Sequence, residues 1–232
     1  DPVKLEAMGA DIFTVTHKYD ALALRFLRRP NTKYIFISSG AAYGDAFDDG
    51  PAEQDTKVTF PTNPLPRHYY GLAKHQAEVR HRMMEDKHIV DVRVFNYISG
   101  TQNIDLRFMA MSMIRAVKND EVMPVNMMNP GRDFIGPVDL AQLIVRVLVS
   151  PGINCAVDCY TSEPITKDTL LAYMMRDYGL KFKVTDPAFV SPTGLKTFYY
   201  SRNRTAAQFG YRPLYNSWGN IKLAADTLLG RT

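Results

Sequence analysis

Apolar positions along the chain switch between two periods, and the switching sets the elements to expect. Residues 14–28 offer Tyr19, Leu22, Leu24, Phe26 and Leu27 to one broad helical face, and the stretch stops at Arg28-Arg29-Pro30, as a helix does ahead of a proline. Lys33-Tyr-Ile-Phe-Ile-Ser38 is compact and continuously apolar and reads as a short buried strand. Residues 40–68, rich in Gly, Pro, Asp and Thr, read as a long loop, and a loop of that length inside a compact domain usually carries function. Helix-forming composition returns over 69–86, a second strand follows over 89–95, and an amphipathic helix rich in Met and Ile is expected over 104–118. Pro137-Val-Asp139 opens a further helix whose Leu140, Leu143, Ile144, Val147 and Leu148 keep the helical period. A strand near 155–160 leads into a helix that Thr166 caps and that runs to Asp177 ahead of Gly179.

Strand–helix alternation predicts an α/β fold: a doubly wound parallel sheet whose crossover helices cover both faces. Beyond about residue 160 the elements shorten, which predicts a small C-terminal lobe. The expected division assigns 1–97 and 133–160 to the sheet domain, and 98–132 with 161–232 to a smaller ligand-binding lobe.

Composition narrows the function classes. The 232 residues hold a net charge of only +4, and the basic residues are scattered, which argues against a nucleic-acid partner. No apolar run is long enough to cross a bilayer, because Gln142 and Arg146 interrupt the longest one. Two cysteines, Cys155 and Cys159, are too few for a disulfide scaffold and suit a reducing cytoplasm. The five histidines lack metal-ligand spacing, so no metal site is expected. The chain opens without Met or a signal sequence, so it is expected to be a processed or truncated piece of a longer protein.

Chemistry enters with Tyr70-Gly-Leu-Ala-Lys74. On a helix these two side chains stand one turn apart on the same face. An ammonium there favours the phenolate, and such help is required before a phenol can act as a base near neutral pH. With thirteen tyrosines in the chain, one such spacing also arises by chance. Its surroundings add weight. Upstream a buried strand ends in Ser38-Ser39-Gly40-Ala41-Ala42-Tyr43-Gly44, and downstream a strand ends in Arg93-Val-Phe95-Asn96-Tyr97. Hydroxyls at the carboxyl ends of parallel strands are placed for ligand contact, although a serine pair there can equally serve the loop backbone.

The ordered set of strand–Ser-Ser-x-x-x-Tyr-Gly, loop, Tyr-Tyr-Gly-x-x-Lys, strand–Arg-x-Phe-Asn and Gly131-Arg132-Asp-Phe-Ile-x-x-x-Asp139-Leu-Ala resembles the extended short-chain dehydrogenase/reductases. It is similar to their NAD-dependent epimerase/dehydratase group, typified by UDP-galactose 4-epimerase. The tail from Arg204 to Pro213 is similar to the family's closing helix and turn. The resemblance implies a Rossmann-like sheet, N-terminally incomplete, and an NAD(P)-dependent nucleotide-sugar epimerase. It leaves open a keto-sugar nucleotide reductase or a family member that binds without turnover. Tyr70 would be the catalytic acid/base, Lys74 its partner and a ribose ligand, and Ser39 a hydrogen-bond partner of the reacting sugar oxygen. Ser38, Ser39, Tyr70, Lys74 and Phe95 would contact NAD or NADP, with Phe95 near the nicotinamide. Asn96 would contact the nucleotide-sugar and Arg132 its diphosphate, as a guanidinium fork can. Alternatives are an ion pair of Arg132 with Asp133 or Asp139, and a turn role for Asn96. A homodimer through the helices at 14–28 and 69–86 is also implied.

Departures from the family pattern matter. The glycine-rich phosphate loop is absent, so the chain as it stands is expected to lack the pyrophosphate-binding part. Gly40-Ala41-Ala42 stands where family dehydratases carry acidic residues, which argues against dehydration. Tyr97-Ile98-Ser99-Gly100 replaces the family's Tyr-Gly-Pro.

Overall fold

The computed structural model describes residues 2–27, 32–47, 50–185 and 196–231. Two helices open it, α1 (Pro2–Met8) and α2 (Asp11–Leu24). Strand β1 (Lys33–Ser39) runs into a short 3-10 turn, Gly40–Tyr43, and after a long loop comes α3 (Pro66–Arg82). Then follow β2 (His88–Val94), β3 (Asn96–Tyr97), α4 (Met109–Lys118), β4 (Val122–Val125), β5 (Gly131–Arg132) and β6 (Phe134–Ile135). Helix α5 (Pro137–Val149) precedes β7 (Cys155–Cys159), β8 (Ile165–Thr166), α6 (Lys167–Tyr178) and β9 (Lys181–Val184). Strand β10 (Phe198–Tyr199), a 3-10 segment at Thr205–Phe209 and α7 (Ser217–Leu228) complete the order.

The main sheet is parallel, in the order β1-β2-β7, with Ser38 opposite Arg93 and Arg93 opposite Asp158. Parallel strands joined through helices are what the alternating pattern predicted, and the architecture is Rossmann-like. Smaller pairings are β10-β5-β8, β3-β6 and β4-β9. One core lies beside the main sheet, where Val90, Val92, Leu143, Val147 and Val157 meet Ala206 and Tyr211. A second gathers α4, α6 and α7 around Met113, Leu170, Met174 and Ile221, each shielded from solvent. Tyr43, Phe47, Ala52 and Phe95 form a third, smaller cluster with Tyr199 against it.

Several boundaries moved for identifiable reasons. Helix α3 begins at Pro66, three residues before Tyr69, because proline tolerates the first helical turn and His68 Nδ1 accepts the Leu65 N–H at 2.9 Å. Helix α4 begins at Met109 rather than 104, because Asn103 turns the chain, its Oδ1 accepting from Asp105 N at 2.9 Å. Thr166 caps α6 by accepting from Thr169 N, and Gly179 closes that helix at φ +70°, as the spacing predicted. The expected end of the first helix at Arg28-Arg29-Pro30 lies outside the described residues, while α2 closes at Leu24. The closing segment at 205–209 is a 3-10 turn ended by Gly210 in the left-handed region, not an α-helix.

Candidate active site

Helix α3 lies against β1 and the 3-10 turn at an unusually close distance. A Cβ built on Gly71 would stand 2.3 Å from the Ala41 carbonyl oxygen, so only glycine permits this approach. The neighbouring residue, Tyr70, is thereby brought over the end of β1, close enough to Ser39 for the serine to favour its phenolate. Ser39 leaves β1 with extended backbone and caps the 3-10 turn, its Oγ accepting from Ala41 N at 3.2 Å. One turn along α3, Lys74 Nζ donates to Ile37 O at 2.9 Å and stands 4.4 Å from the Phe36 ring centre and 5.9 Å from that of Tyr70. Ser39, Tyr70 and Lys74 therefore meet at the carboxyl end of the parallel sheet, the edge at which open α/β sheets take ligands.

The electrostatics differ in one respect from the expected pairing. Burial pushes the Tyr70 phenol upward, and the Ser39 hydrogen bond opposes that shift. The Lys74 ammonium lies beside the ring rather than on the hydroxyl. Lys74 is itself pushed downward by burial, with Glu78 and then Asp91 opposing.

The remaining expected residues divide. Ser38 points away from the cleft: its Oγ donates to Glu78 Oε1 at 2.5 Å, inside the packing between sheet and helix. Successive residues of a strand face opposite sides, so two adjacent serines do not share one ligand. Phe95 is buried beneath Gly40, with ring centres of Phe47 at 5.8 Å and Tyr199 at 5.3 Å. Asn96 uses its amide nitrogen on Asp133 O at 2.9 Å, tying β3 to β6. Arg132 forms no ion pair with Asp133 or Asp139. Asp133 accepts from Thr161 and Ser217, and Asp139 from the Leu214 and Tyr215 N–H groups. Arg132 donates to Gly131 O and Lys196 O, and burial lowers it to about 10, with Tyr199 opposing. Among the described residues, no carboxylate lies within ion-pair distance of this guanidinium.

Two participants were not anticipated. Tyr199 stands in register with Arg132, and its hydroxyl lies 3.3 Å from Ser39 Oγ, so the serine sits between two phenols. Burial raises the Tyr199 phenol strongly, which leaves it a hydrogen-bond donor across the neutral range. Nothing in the local sequence signals a contact 160 positions away. Glu78 did carry a signal, since it extends the spacing of Tyr70 and Lys74 by one more turn.

A family model described as the NAD dependent epimerase/dehydratase family matches residues 7–154. A search of curated proteins returned no match. Among solved structures, the chain is similar to a UDP-glucuronic acid 4-epimerase from Bacillus cereus in complex with UDP-glucuronic acid and NAD. The identity is 18%, covering 86% of this chain and 62% of that one, with a TM-score of 0.66. A UDP-glucose 4-epimerase with UDP-glucose from Thermotoga maritima is 17% identical over 86% and 64%, with a TM-score of 0.69. A dTDP-glucose 4,6-dehydratase from Bacillus anthracis in complex with NAD is 14% identical over 91% and 65%, with a TM-score of 0.71. The chain thus spans less than two thirds of the length of each of these structures.

Proposed function

The chain belongs to the NAD-dependent epimerase/dehydratase family, and from that premise we propose that it forms the catalytic part of an NAD(P)-dependent nucleotide-sugar epimerase. The convergence of Ser39, Tyr70 and Lys74 at the sheet's carboxyl edge carries this reading. A bound nicotinamide cofactor supplies the hydride acceptor and donor. The residues present fit such a group: Lys74 spends one of its three donors on Ile37 O, leaving the others for ribose hydroxyls. Tyr70 takes the proton from the sugar hydroxyl and returns it, and Ser39 holds the reacting oxygen in line with the phenol. Arg132, a half-buried guanidinium with no carboxylate partner among the described residues, binds the substrate diphosphate. Phe95 forms the apolar wall near the nicotinamide, and Asn96 contacts the nucleotide-sugar. Gly40-Ala41-Ala42 offers no side chain that can move a proton during water loss, which favours epimerisation over dehydration.

The proposed assembly is a homodimer. Val15, Tyr19, Leu22 and Phe26 on and just after α2, and Val79 and Met83 on and just after α3, are exposed, with Phe26 72% and Met83 79% accessible. Both cysteines are free thiols, which suits the proposed cytoplasmic location. No helix among the described residues is long and apolar enough to cross a membrane.

The full-length protein, mixed with UDP-, GDP- and CDP-sugars, is the test. An epimerase needs only catalytic cofactor, whereas a keto-sugar reductase consumes it stoichiometrically. Tyr70→Phe should lower turnover by ~10²–10⁴-fold at unchanged thermal stability. Turnover within a few-fold of the unmutated protein would refute the assignment of Tyr70.

A further inference from the structure

The Ser39 hydroxyl has one proton to give and two lone pairs to fill. One lone pair takes the Ala41 N–H at 3.2 Å, a group that can only donate. The second contact is the Tyr199 hydroxyl at 3.3 Å, and between two hydroxyls either can be the donor. Their surroundings differ. Among the described residues, Ser39 Oγ is the one acceptor within hydrogen-bond distance of Tyr199 Oη, and burial keeps this phenol protonated across the neutral range. Ser39 has another outlet for its proton, since Tyr70 stands beside it. If Ser39 donated to Tyr199, the Tyr199 proton would have no acceptor in the protein. The arrangement that pairs both protons runs from Tyr199 to Ser39 and from Ser39 toward Tyr70.

Tyr199 is also the fixed member of the pair. Its ring centre lies 5.1 Å from that of Phe47 and 5.3 Å from that of Phe95. Strand β10 runs parallel to β5 with Tyr199 opposite Arg132, and Arg132 Nη1 donates to Lys196 O at 2.8 Å. Beyond the phenol, Ala52 N donates to Tyr200 O at 3.0 Å, and Arg202 N donates to Ala52 O at 2.7 Å. A serine hydroxyl turns about a single bond, so it is the member that is aimed.

We propose that Tyr199 is a positioning residue for Ser39: its hydroxyl, delivered from the C-terminal lobe by β10, donates to Ser39 Oγ and so directs the serine's own proton to the reacting oxygen beside Tyr70. This rests on the reading of Ser39 and Tyr70 as the reaction centre. The serine then meets the sugar oxygen as a donor, which stabilises the negative charge that develops there as its proton leaves. Without Tyr199 Oη one lone pair is released, and the serine hydroxyl is free to turn away.

The test is a double-mutant cycle in the full-length protein. Tyr199→Phe keeps the ring and its contacts with Phe47 and Phe95 and removes only the hydroxyl. It should lower kcat about tenfold, the size of one lost hydrogen bond, with little change in KM because Arg132 is untouched. In a Ser39→Ala background the same substitution should change kcat by less than about twofold, since Tyr199 acts through the serine. An equal fractional loss in both backgrounds, or full activity in Tyr199→Phe, would overturn the proposal. Neutron diffraction of the unmutated protein reads the bond without any variant or turnover. A deuteron on Tyr199 Oη pointing at Ser39 Oγ is expected, and a Ser39 deuteron pointing at Tyr199 would sink the assignment even if Tyr199→Phe fails to fold. Failure to turn over any nucleotide sugar, with the Tyr199 deuteron on Ser39, would remove the epimerase reading and leave the aimed serine standing.

Discussion

Gly71→Ala sets two effects of similar size against each other. In an exposed helix interior the change gains about 1 kcal/mol, because alanine loses less backbone entropy than glycine. Here the added Cβ would stand 2.3 Å from Ala41 O and 3.1 Å from Ala41 C. Ordinary contact begins near 3.4 Å, so α3 must retreat by the difference, 1.1 Å. The obstacle is backbone, which cannot rotate aside as a side-chain tip can. Overpacking of this kind costs about 1–3 kcal/mol, and a backbone obstacle belongs at the upper end. The net loss is then about 1–2 kcal/mol, a fall in Tm of about 2–8 °C for a chain of this size. The same retreat draws the Tyr70 hydroxyl off Ser39, and a misplacement of about 1 Å can cost about 10²-fold in rate. Thermal melting and steady-state kinetics of the full-length variant read both consequences. A variant as stable and as active as the parent would show that the helix has room to spare, and that the close approach does not position the phenol.

Three further outcomes follow from other parts of the structure. His81 joins Asp91 Oδ1 at 2.6 Å and Asp20 Oδ1 at 3.0 Å with all three side chains inaccessible, so His81→Leu should cost about 3–5 kcal/mol in urea denaturation; a loss under about 1 kcal/mol would refute this bridge. Arg132→Met should raise Tm in ligand-free protein, since a half-buried guanidinium without a carboxylate among the described residues is relieved, yet weaken diphosphate binding by calorimetry. A lower Tm with unchanged binding would contradict both halves. Burial and then the Asp91 carboxylate push the Tyr34 phenol up to about 12, so folding favours its protonated form. That contribution is complete below the ordinary tyrosine value and is lost as pH rises through about 12; Tyr34→Phe should therefore move alkaline unfolding, followed by circular dichroism, to higher pH.

The sequence exposed features governed by short-range rules. Thr166 and Gly179 bracket α6 because a cap and a left-handed stop act within a few residues. Tyr70 and Lys74 were legible for the same reason, since helical spacing alone places them together. Ser38 misled because two adjacent strand residues were read as one site, whereas the pleat sends one into the cleft and the other to Glu78. Arg132 drew two acidic candidates from its own neighbourhood, but both are consumed by Thr161, Ser217 and backbone amides from distant segments. Such partners depend on how the chain returns, and no local pattern encodes that return.

The hydrogen bond between Ser39 and Tyr199 also sets an order of assembly. On a growing polypeptide, β1, α3 and β2 can pair soon after they emerge, while the second phenol is still to be synthesised. The cleft is therefore finished last, and a protein stalled or clipped before β10 would keep Tyr70 and Lys74 on a paired sheet with one wall of the cleft open to water.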